Sequence, residues 1–326
     1  MKLARRWFLS LAGAGAAVAV LPRIATAQNY PARPVRLIVP YAPAGPTDVA
    51  ARLIASKLSE RLSKQFYVEN IPGASGNIGM GRAAKAAPDG YTVIVVANSY
   101  VVNPALFDTI PYDPRRDFDA VTMAVTTPMV LTVHPSLPAR TAKDLVALIK
   151  ANPGKYNYAS AGTGTPAHLV GEQFRLSLGL DLVHIPFNGA SLAVGSAVAG
   201  HTPICIAAPA PAVPQVHDWK LHALAVMSKT RLQALPNVPT IAEAGYPGME
   251  GENWFGVLVP TGTPSDIIAL LNREIVDVIA VPDMKERLAA LGLEPVGTTP
   301  KEFAEQIAVE LDKWGKVIRL ANIRGQ

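Results

Sequence analysis

The chain has 326 residues with 30 Lys or Arg against 25 Asp or Glu, a formal net charge of +5. Four of the positive residues (Lys2, Arg5, Arg6 and Arg23) and none of the acidic ones lie in residues 1–27, so the remainder carries 26 positive against 25 negative residues, a net charge of +1. A nucleic-acid-binding protein normally shows a clustered basic excess, so no nucleic-acid partner is expected.

The first 27 residues have the three regions of a secretory signal peptide. Basic residues precede an apolar run from Trp7 to Leu21, and Ala25-Thr26-Ala27 forms a small-x-small cleavage site. The run is short for a membrane span, which needs about 20 residues. We therefore predict export to the periplasm with cleavage after Ala27. The pair Arg5-Arg6 resembles a twin-arginine signal, and a Sec signal with two arginines is the alternative.

The 299 residues after Ala27 (326 minus 27) exceed the usual single-domain size of about 100–150 residues, which favours two domains. Cys205 is the only cysteine, so no intramolecular disulfide can form. It lies in a short apolar run, which predicts a buried structural thiol. No Cys/His cluster has metal-ligand spacing, and neither a metal nor a cofactor is expected.

Hydrophobic periodicity predicts alternating strands and helices along the chain. Strands are expected at 35–39, 66–69, 92–97, 129–133, 157–160, 182–185, 222–226 and 255–259. Helices are expected at 48–64, from the glycine-rich stretch 72–79 through 87, and at 141–151, 166–178, 265–280, 284–291 and 300–319. Thr141 and Asp144 have the spacing of a capping box. This alternation predicts an α/β protein with mainly parallel sheets.

Two strand-to-helix turns resemble each other. Loop one is residues 39–48 (VPYAPAGPTD) and loop two is residues 158–168 (YASAGTGTPAH). Each passes through small residues and starts a helix with a proline in its first turn. Small residues leave backbone N–H groups accessible, and the helix N-terminus adds a partial positive charge, so each turn is a candidate anion site. The alternative is that both are ordinary tight turns.

The sequence offers little for catalysis. Residues 162–167 match the dinucleotide pattern G-x-G-x-x-A, but a proline at its fifth position and the predicted export both argue against that reading. No G-x-S-x-G, H-E-x-x-H or Walker A motif occurs, so no catalytic residue is predicted and the chain is not expected to be an enzyme. His168, in the first turn after loop two, is either a ligand-binding or a capping residue.

Nine ordered motifs together resemble the Bug/TctC family, the periplasmic receptors of tripartite tricarboxylate transporters. They are PYAPAGPTDVAAR at 40–52, NIPGASGNIG at 70–79, PDGY at 88–91, residues 158–171, IPFNG at 185–189, LAV at 224–226, LPNVPTIAEAG at 235–245, WFG at 254–256 and residues 260–264. The resemblance covers essentially the whole chain after residue 27.

The resemblance implies an α/β, two-lobed periplasmic binding protein fold of the Venus-flytrap type, with two crossovers between lobes near 122–132 and 250–258. We expect lobe one at 28–127 plus 253–326, and lobe two at 128–252. It also implies that the two loops and a nearby strand end bind a ligand carboxylate. The residues carried over by position are Tyr41, Ala44, Gly45, Thr47, Asp48, Asn98, Ser99, Ser160, Gly162, Thr163, Gly164, Thr165 and His168. Asp48 is expected to orient loop one, because like charges repel.

Two departures from the family pattern bear on the ligand. Family members usually have a second glycine in loop one, where this chain has Ala44-Gly45-Pro46. After Gly200 many carry an acidic residue facing the ligand, whereas residues 201–211 here contain none. We therefore expect an apolar wall from 201–211 and a larger or aromatic carboxylate as ligand.

These expectations combine into one function. The chain would capture a small organic carboxylate, either a di- or tricarboxylate or an aromatic acid, and deliver it to the membrane permease of a tripartite tricarboxylate-type transporter. The resemblance implies a monomer. A carboxylate sensor that presents its ligand to a membrane kinase is the alternative, and a secreted hydrolase is a remote one.

Overall fold

Two β-sheets organise residues 30–324, the part of the chain that the computed structural model describes. The predicted signal peptide and its cleavage site lie outside the described residues. In chain order the strands are β1 (Val35–Val39), β2 (Phe66–Asn70), β3 (Thr92–Ala97), β4 (Phe118–Pro128), β5 (Val130–Val133), β6 (Tyr156–Ser160), β7 (Leu182–Pro186), β8 (Ile204–Ala207), β9 (His222–Val226), β10 (Glu252–Pro260) and β11 (Glu294–Pro295).

Helices fill most connections between these strands. They are α1 (Pro46–Leu62), α2 (Asn77–Ala84), α3 (Ser99–Leu106), α4 (Ala142–Ala151), α5 (Pro166–Leu178), α6 (Ala190–Val198), α7 (Pro209–His217), α8 (Ser265–Ala280), α9 (Pro282–Ala290) and α10 (Pro300–Leu320). The predicted capping box at α4 is present: Thr141 accepts from the Asp144 amide, and the Asp144 carboxylate accepts from the Thr141 amide. No helix within residues 30–324 is long and apolar enough to cross a membrane.

The sheets are mixed, and the expectation of mainly parallel sheets was wrong. Sheet one has the order β11-β4-β10-β3-β1-β2 and sheet two the order β7-β6-β8-β5-β9. Pairings among β1, β2 and β3 and among β6, β7 and β8 are parallel, whereas every pairing that involves β4, β5, β10 or β11 is antiparallel. The antiparallel strands are mainly those that carry the chain between the sheets, a long-range arrangement that hydrophobic periodicity does not encode.

The chain passes between the sheets twice. It leaves sheet one at the end of β4 and enters β5 after a single residue, Met129, and it returns between β9 and β10. The two passages lie side by side, because Glu252 at the start of β10 pairs with Pro128 at the end of β4. Asn98 adds a further link: its side chain accepts from the Trp254 amide at 2.6 Å and donates to the Glu252 carbonyl at 2.9 Å.

Cys205 lies in the core of sheet two, as the sequence predicted. It is fully buried in β8, and that burial raises the pKa of its thiol to about 12, so the reactive thiolate is suppressed. Strand β8 is flanked by β5 and β6, and all four of its residues are buried.

Candidate ligand-binding cleft

A cleft of about 690 Å³ opens where the helix-starting loops of the two sheets meet. Volumes of about 300–1,000 Å³ are typical of small-molecule sites. Its described lining residues are Tyr41, Gly45, Pro46, Thr47, Ser75, Ala97, Asn98, Ser99, Val102, Asn103, Leu106, Phe107, Gly162, Thr163, Gly164, Thr165, Pro166, Leu169, Pro186, Phe187, Asn188, Asn253, Phe255 and Arg324.

Loop one is held in place by the buried carboxylate of Asp48. This side chain accepts hydrogen bonds from the Ala44 amide at 2.9 Å, from Arg52 Nε at 2.9 Å and from Asn70 Nδ2 at 2.8 Å. Burial alone would raise the pKa of Asp48, but the bonds from Arg52, Asn70 and Ala44 outweigh it and lower the pKa. Asp48 therefore stays ionised and orients the loop, and it does not line the cleft.

The left-handed backbone of loop one falls on Ala44, with φ of +64°. A β-carbon at such a position costs about 1–2 kcal/mol. The helix that follows has Gly45 as its N-cap and no side-chain cap. Gly45 and Thr47 both line the cleft, so the uncapped first turn of α1 borders it with its unpaired N–H groups.

Loop two is organised by His168 and Thr165. The Gly164 amide donates to His168 Nδ1 at 2.9 Å, and Thr165 Oγ1 caps α5 by accepting from the His168 amide. The Thr165 hydroxyl also donates to the Gly162 carbonyl at 2.7 Å. Because Nδ1 accepts, this nitrogen of His168 carries no proton. His168 is 5% exposed and lies behind the cleft surface, so its side chain shapes the loop and does not line the cleft.

A buried polar network supports loop two from below. His184 Nε2 lies 2.7 Å from Ser160 Oγ, and the rings of His184 and His168 stack with centroids 3.8 Å apart. Burial lowers the pKa of both imidazoles, that of His184 to about 4, and the neighbouring ring adds to the shift at His184. Both rings are therefore neutral at neutral pH. Ser160 is fully buried and belongs to this support.

Tyr41 and Ser99 border the cleft beside loop one. Their hydroxyl oxygens lie 2.6 Å apart, and the Ala97 amide donates to Tyr41 Oη at 3.0 Å. Burial of the Tyr41 hydroxyl raises its pKa to about 12, although its two hydrogen bonds lower it in part, so Tyr41 is a neutral hydrogen-bonding group.

Of the thirteen residues that the sequence singled out, nine line the cleft: Tyr41, Gly45, Thr47, Asn98, Ser99, Gly162, Thr163, Gly164 and Thr165. The other four, Ala44, Asp48, Ser160 and His168, do not line it. Contact of these residues with a ligand stays a prediction. The sequence missed further lining residues, among them Phe107, Asn188 and Arg324. Of these, only Asn188 belongs to a motif singled out in the sequence, IPFNG.

The apolar wall lies elsewhere than expected. None of residues 201–211 lines the cleft, because the apolar run of this stretch forms the buried central strand β8. The apolar surface comes instead from Val102, Leu106, Phe107, Phe187 and Phe255, which belong to α3 and the residue after it, to the turn after β7 and to β10. A helix, a turn and a strand thus supply hydrophobic contact that a contiguous sequence pattern does not reveal.

The chemistry of the cleft suits an anion. No acidic side chain occurs among its described lining residues, while uncapped or singly capped helix N-termini border it from both sheets. No group of three or more potential metal ligands is found within residues 30–324. The serine, threonine and tyrosine hydroxyls that line the cleft can donate and accept hydrogen bonds with a bound ligand.

The chain is similar to known proteins over most of its length. The chain is 37% identical over 314 residues to protein BugT of Bordetella pertussis, covering 96% of this chain and 94% of that protein. It is similar to Rpa4515 of R. palustris, solved with adipate, at 33% identity and a TM-score of 0.71, covering 90% of this chain and 99% of that one. It is also similar to a ligand-free TctC solute-binding protein from Polaromonas, at 28% identity and a TM-score of 0.82, covering 89% of this chain and 99% of that one.

These neighbours confirm the predicted fold class, an α/β two-lobed periplasmic binding protein. A family model described as the tripartite tricarboxylate transporter family receptor, TctC, matches residues 50–323. The chain therefore belongs to the TctC family of periplasmic solute-binding receptors, and it is a receptor and not an enzyme.

Proposed function

We propose that this chain captures a small organic carboxylate in the cleft and delivers it to the permease of a tripartite tricarboxylate-type transporter. One observation carries the proposal: helix N-termini that follow strands of two different sheets border a single cleft with no acidic residue in its described lining. N–H groups at such ends are natural partners of a carboxylate.

The contacts that we propose come from loops one and two. First-turn N–H groups of α1 and α5 would donate to carboxylate oxygens, and the hydroxyls of Thr47, Ser99, Thr163 and Thr165 would add hydrogen bonds. The internal bonds of Asp48 and His168 support this role, because they hold both loops in position before a ligand arrives. Such preorganisation lowers the entropic cost of binding.

Capture by closure is the proposed mechanism. We assign residues 28–127 and 253–326 to lobe one and 128–252 to lobe two, which move about the paired passages at the ends of β4 and β10. Carboxylate contacts to both lobes would favour the closed form, since a ligand shifts the equilibrium only by its differential affinity for the two forms.

The proposed ligand class is a C4–C6 dicarboxylate or an aromatic carboxylate. Adipate in a similar protein of R. palustris supports the first, and the phenylalanines of the cleft support the second. We further propose that the chain is exported and cleaved after Ala27, and that it releases its ligand to the permease subunits.

Calorimetric titration of residues 28–326, refolded to remove bound ligand, tests this function. The panel holds citrate, succinate, adipate, terephthalate, benzoate and glutamate. We expect saturable binding of at least one non-amino acid carboxylate in the micromolar range or tighter. A folded protein that binds none of them would refute the proposal.

A matched pair of variants locates the site. Thr163 is exposed and lines the cleft, so Thr163→Asp places a carboxylate beside the ligand while Thr163→Asn has nearly the same shape without the charge. Repulsion of about 1–4 kcal/mol at close range predicts at least about a fivefold weaker affinity for Thr163→Asp than for Thr163→Asn. Equal affinities of the two variants would place the ligand elsewhere.

A further inference from the structure

Arg324 is the one charged side chain among the described residues that line the cleft. Nothing in the motifs of the sequence singled it out, and the proposed loop contacts do not use it. It is exposed, and it forms no ion pair with another residue of the range 30–324. Asp108 lines an adjoining groove together with Arg324, yet no acidic side chain of residues 30–324 pairs with the guanidinium, so it is available to a ligand.

The position of Arg324 is set by the way α10 ends. Asn322 adopts a left-handed backbone with φ of +53°, the Ile323 amide donates to the Ile318 carbonyl at 3.0 Å, and the Asn322 amide donates to the Arg319 carbonyl at 3.2 Å. This is a Schellman motif. Ile323 and Ile318, the two positions that form the hydrophobic contact of this motif, are both buried in the large apolar cluster. The residue after this cap is therefore held at a defined place.

That place is the far end of α3. Leu106 and Phe107 line both the cleft and an adjoining groove that Arg319 and Arg324 also line. Ser99, at the other end of α3, contacts Tyr41 beside loop one. Leu106 lies seven positions after Ser99, which is about 10 Å along a helix. Loop one and Arg324 therefore border opposite ends of α3 along the cleft.

We propose that Arg324 binds a second carboxylate of the ligand and makes the receptor selective for dianions over monoanions. The inference rests on the proposed function and deepens it. A guanidinium matches a carboxylate with paired N–H donors, so its contribution is expected to fall on ligands that carry a second acidic group. The apolar residues Leu106 and Phe107 would then contact the chain or ring between the two carboxylates.

Matched ligand pairs test the assignment by calorimetry. Adipate is compared with hexanoate, and terephthalate with 4-methylbenzoate, so each pair differs in one carboxylate. The variants are Arg324→Gln and, as a control for loss of one positive charge, Arg319→Gln, which lines the adjoining groove and not the cleft. We expect Arg324→Gln to weaken binding of the preferred diacid about tenfold and to change the matched monoacid less than twofold. Arg319→Gln should change either affinity less than twofold.

The possible failures are distinguishable. Wild-type protein that binds carboxylates, combined with equal losses for diacid and monoacid in Arg324→Gln, or with no loss, overturns the role of Arg324 and leaves the proposed function standing. Wild-type protein that binds no acid of the panel overturns both. Thermal unfolding of each variant checks that the fold is intact. An unchanged melting temperature with selective loss of diacid binding supports the assignment.

Discussion

Glu252 begins strand β10 at the passage back into sheet one, and its ionisation should weaken the fold. Burial of the carboxyl group raises its pKa to about 7, repulsion by Glu294 and Glu310 adds to the shift, and the nearby Lys229 opposes it in part. The folded state therefore binds more protons than the unfolded state between the ordinary pKa of 4.5 and about 7. The free energy of unfolding must fall as the pH rises through this window.

The size of the effect follows from the two pKa values. With a pKa of about 7 in the folded state and 4.5 in the unfolded state, ionisation of Glu252 lowers the free energy of unfolding by about 0.8 kcal/mol at pH 5, about 2.0 at pH 6 and about 3.3 at pH 8. The loss between pH 5 and pH 8 is about 2.5 kcal/mol. Because Glu252 is partly exposed, about 1–2.5 kcal/mol is the expected range.

The assay is urea unfolding followed by circular dichroism at pH 5, 6, 7 and 8. Glu252→Gln removes the ionisation and keeps the size of the side chain, so it should gain stability relative to the wild type by about 1–2.5 kcal/mol as the pH rises from 5 to 8. Glu286→Gln, a change at an exposed position on α9, should show the same dependence of the free energy of unfolding on pH as the wild type. A constant difference between the wild type and Glu252→Gln across this range would show that the carboxyl group ionises normally.

Two further predictions concern loop two and its support. His168→Leu leaves the Gly164 amide without its acceptor, so we expect a loss of about 1–3 kcal/mol in the free energy of unfolding and at least fivefold weaker carboxylate binding. His168→Asn should retain most of the stability and of the affinity, because its Oδ1 can accept the same hydrogen bond. Equal losses in the two variants would contradict this role of Nδ1. Gly171→Ala should cost about 1–3 kcal/mol despite the better helix propensity of alanine, because the added β-carbon would lie within 2.7 Å of Tyr158 Oη. At Gly195 an added β-carbon meets nothing within 4 Å, so Gly195→Ala should instead raise the free energy of unfolding by about 0.4–1 kcal/mol. Both variants are measured by urea unfolding, and a gain in stability for Gly171→Ala would refute the packing argument.

Local signals predicted several elements to the residue. Helix α5 runs from Pro166 to Leu178 as expected, because Thr165 caps it, a proline starts it and Gly179 with φ of +62° ends it. These signals act within one helical turn, so they can be read without the fold. Helix α7 was missed for the corresponding reason: it contains Pro214 in its interior, which ordinarily argues against a helix.

The sequence by itself determined the family, the two helix-starting loops and most of the helices, because motif identity and capping depend on neighbours along the chain. Tertiary structure alone decided which strands run antiparallel, that Asn98 binds the backbone of β10, and that the apolar run at 204–207 lies in the core instead of the cleft. It also decided that Arg324, distant in sequence from both loops, lines the same cleft. The physical reason is common to all of these: each depends on contacts between residues far apart in the chain, for which local periodicity and propensity carry no signal.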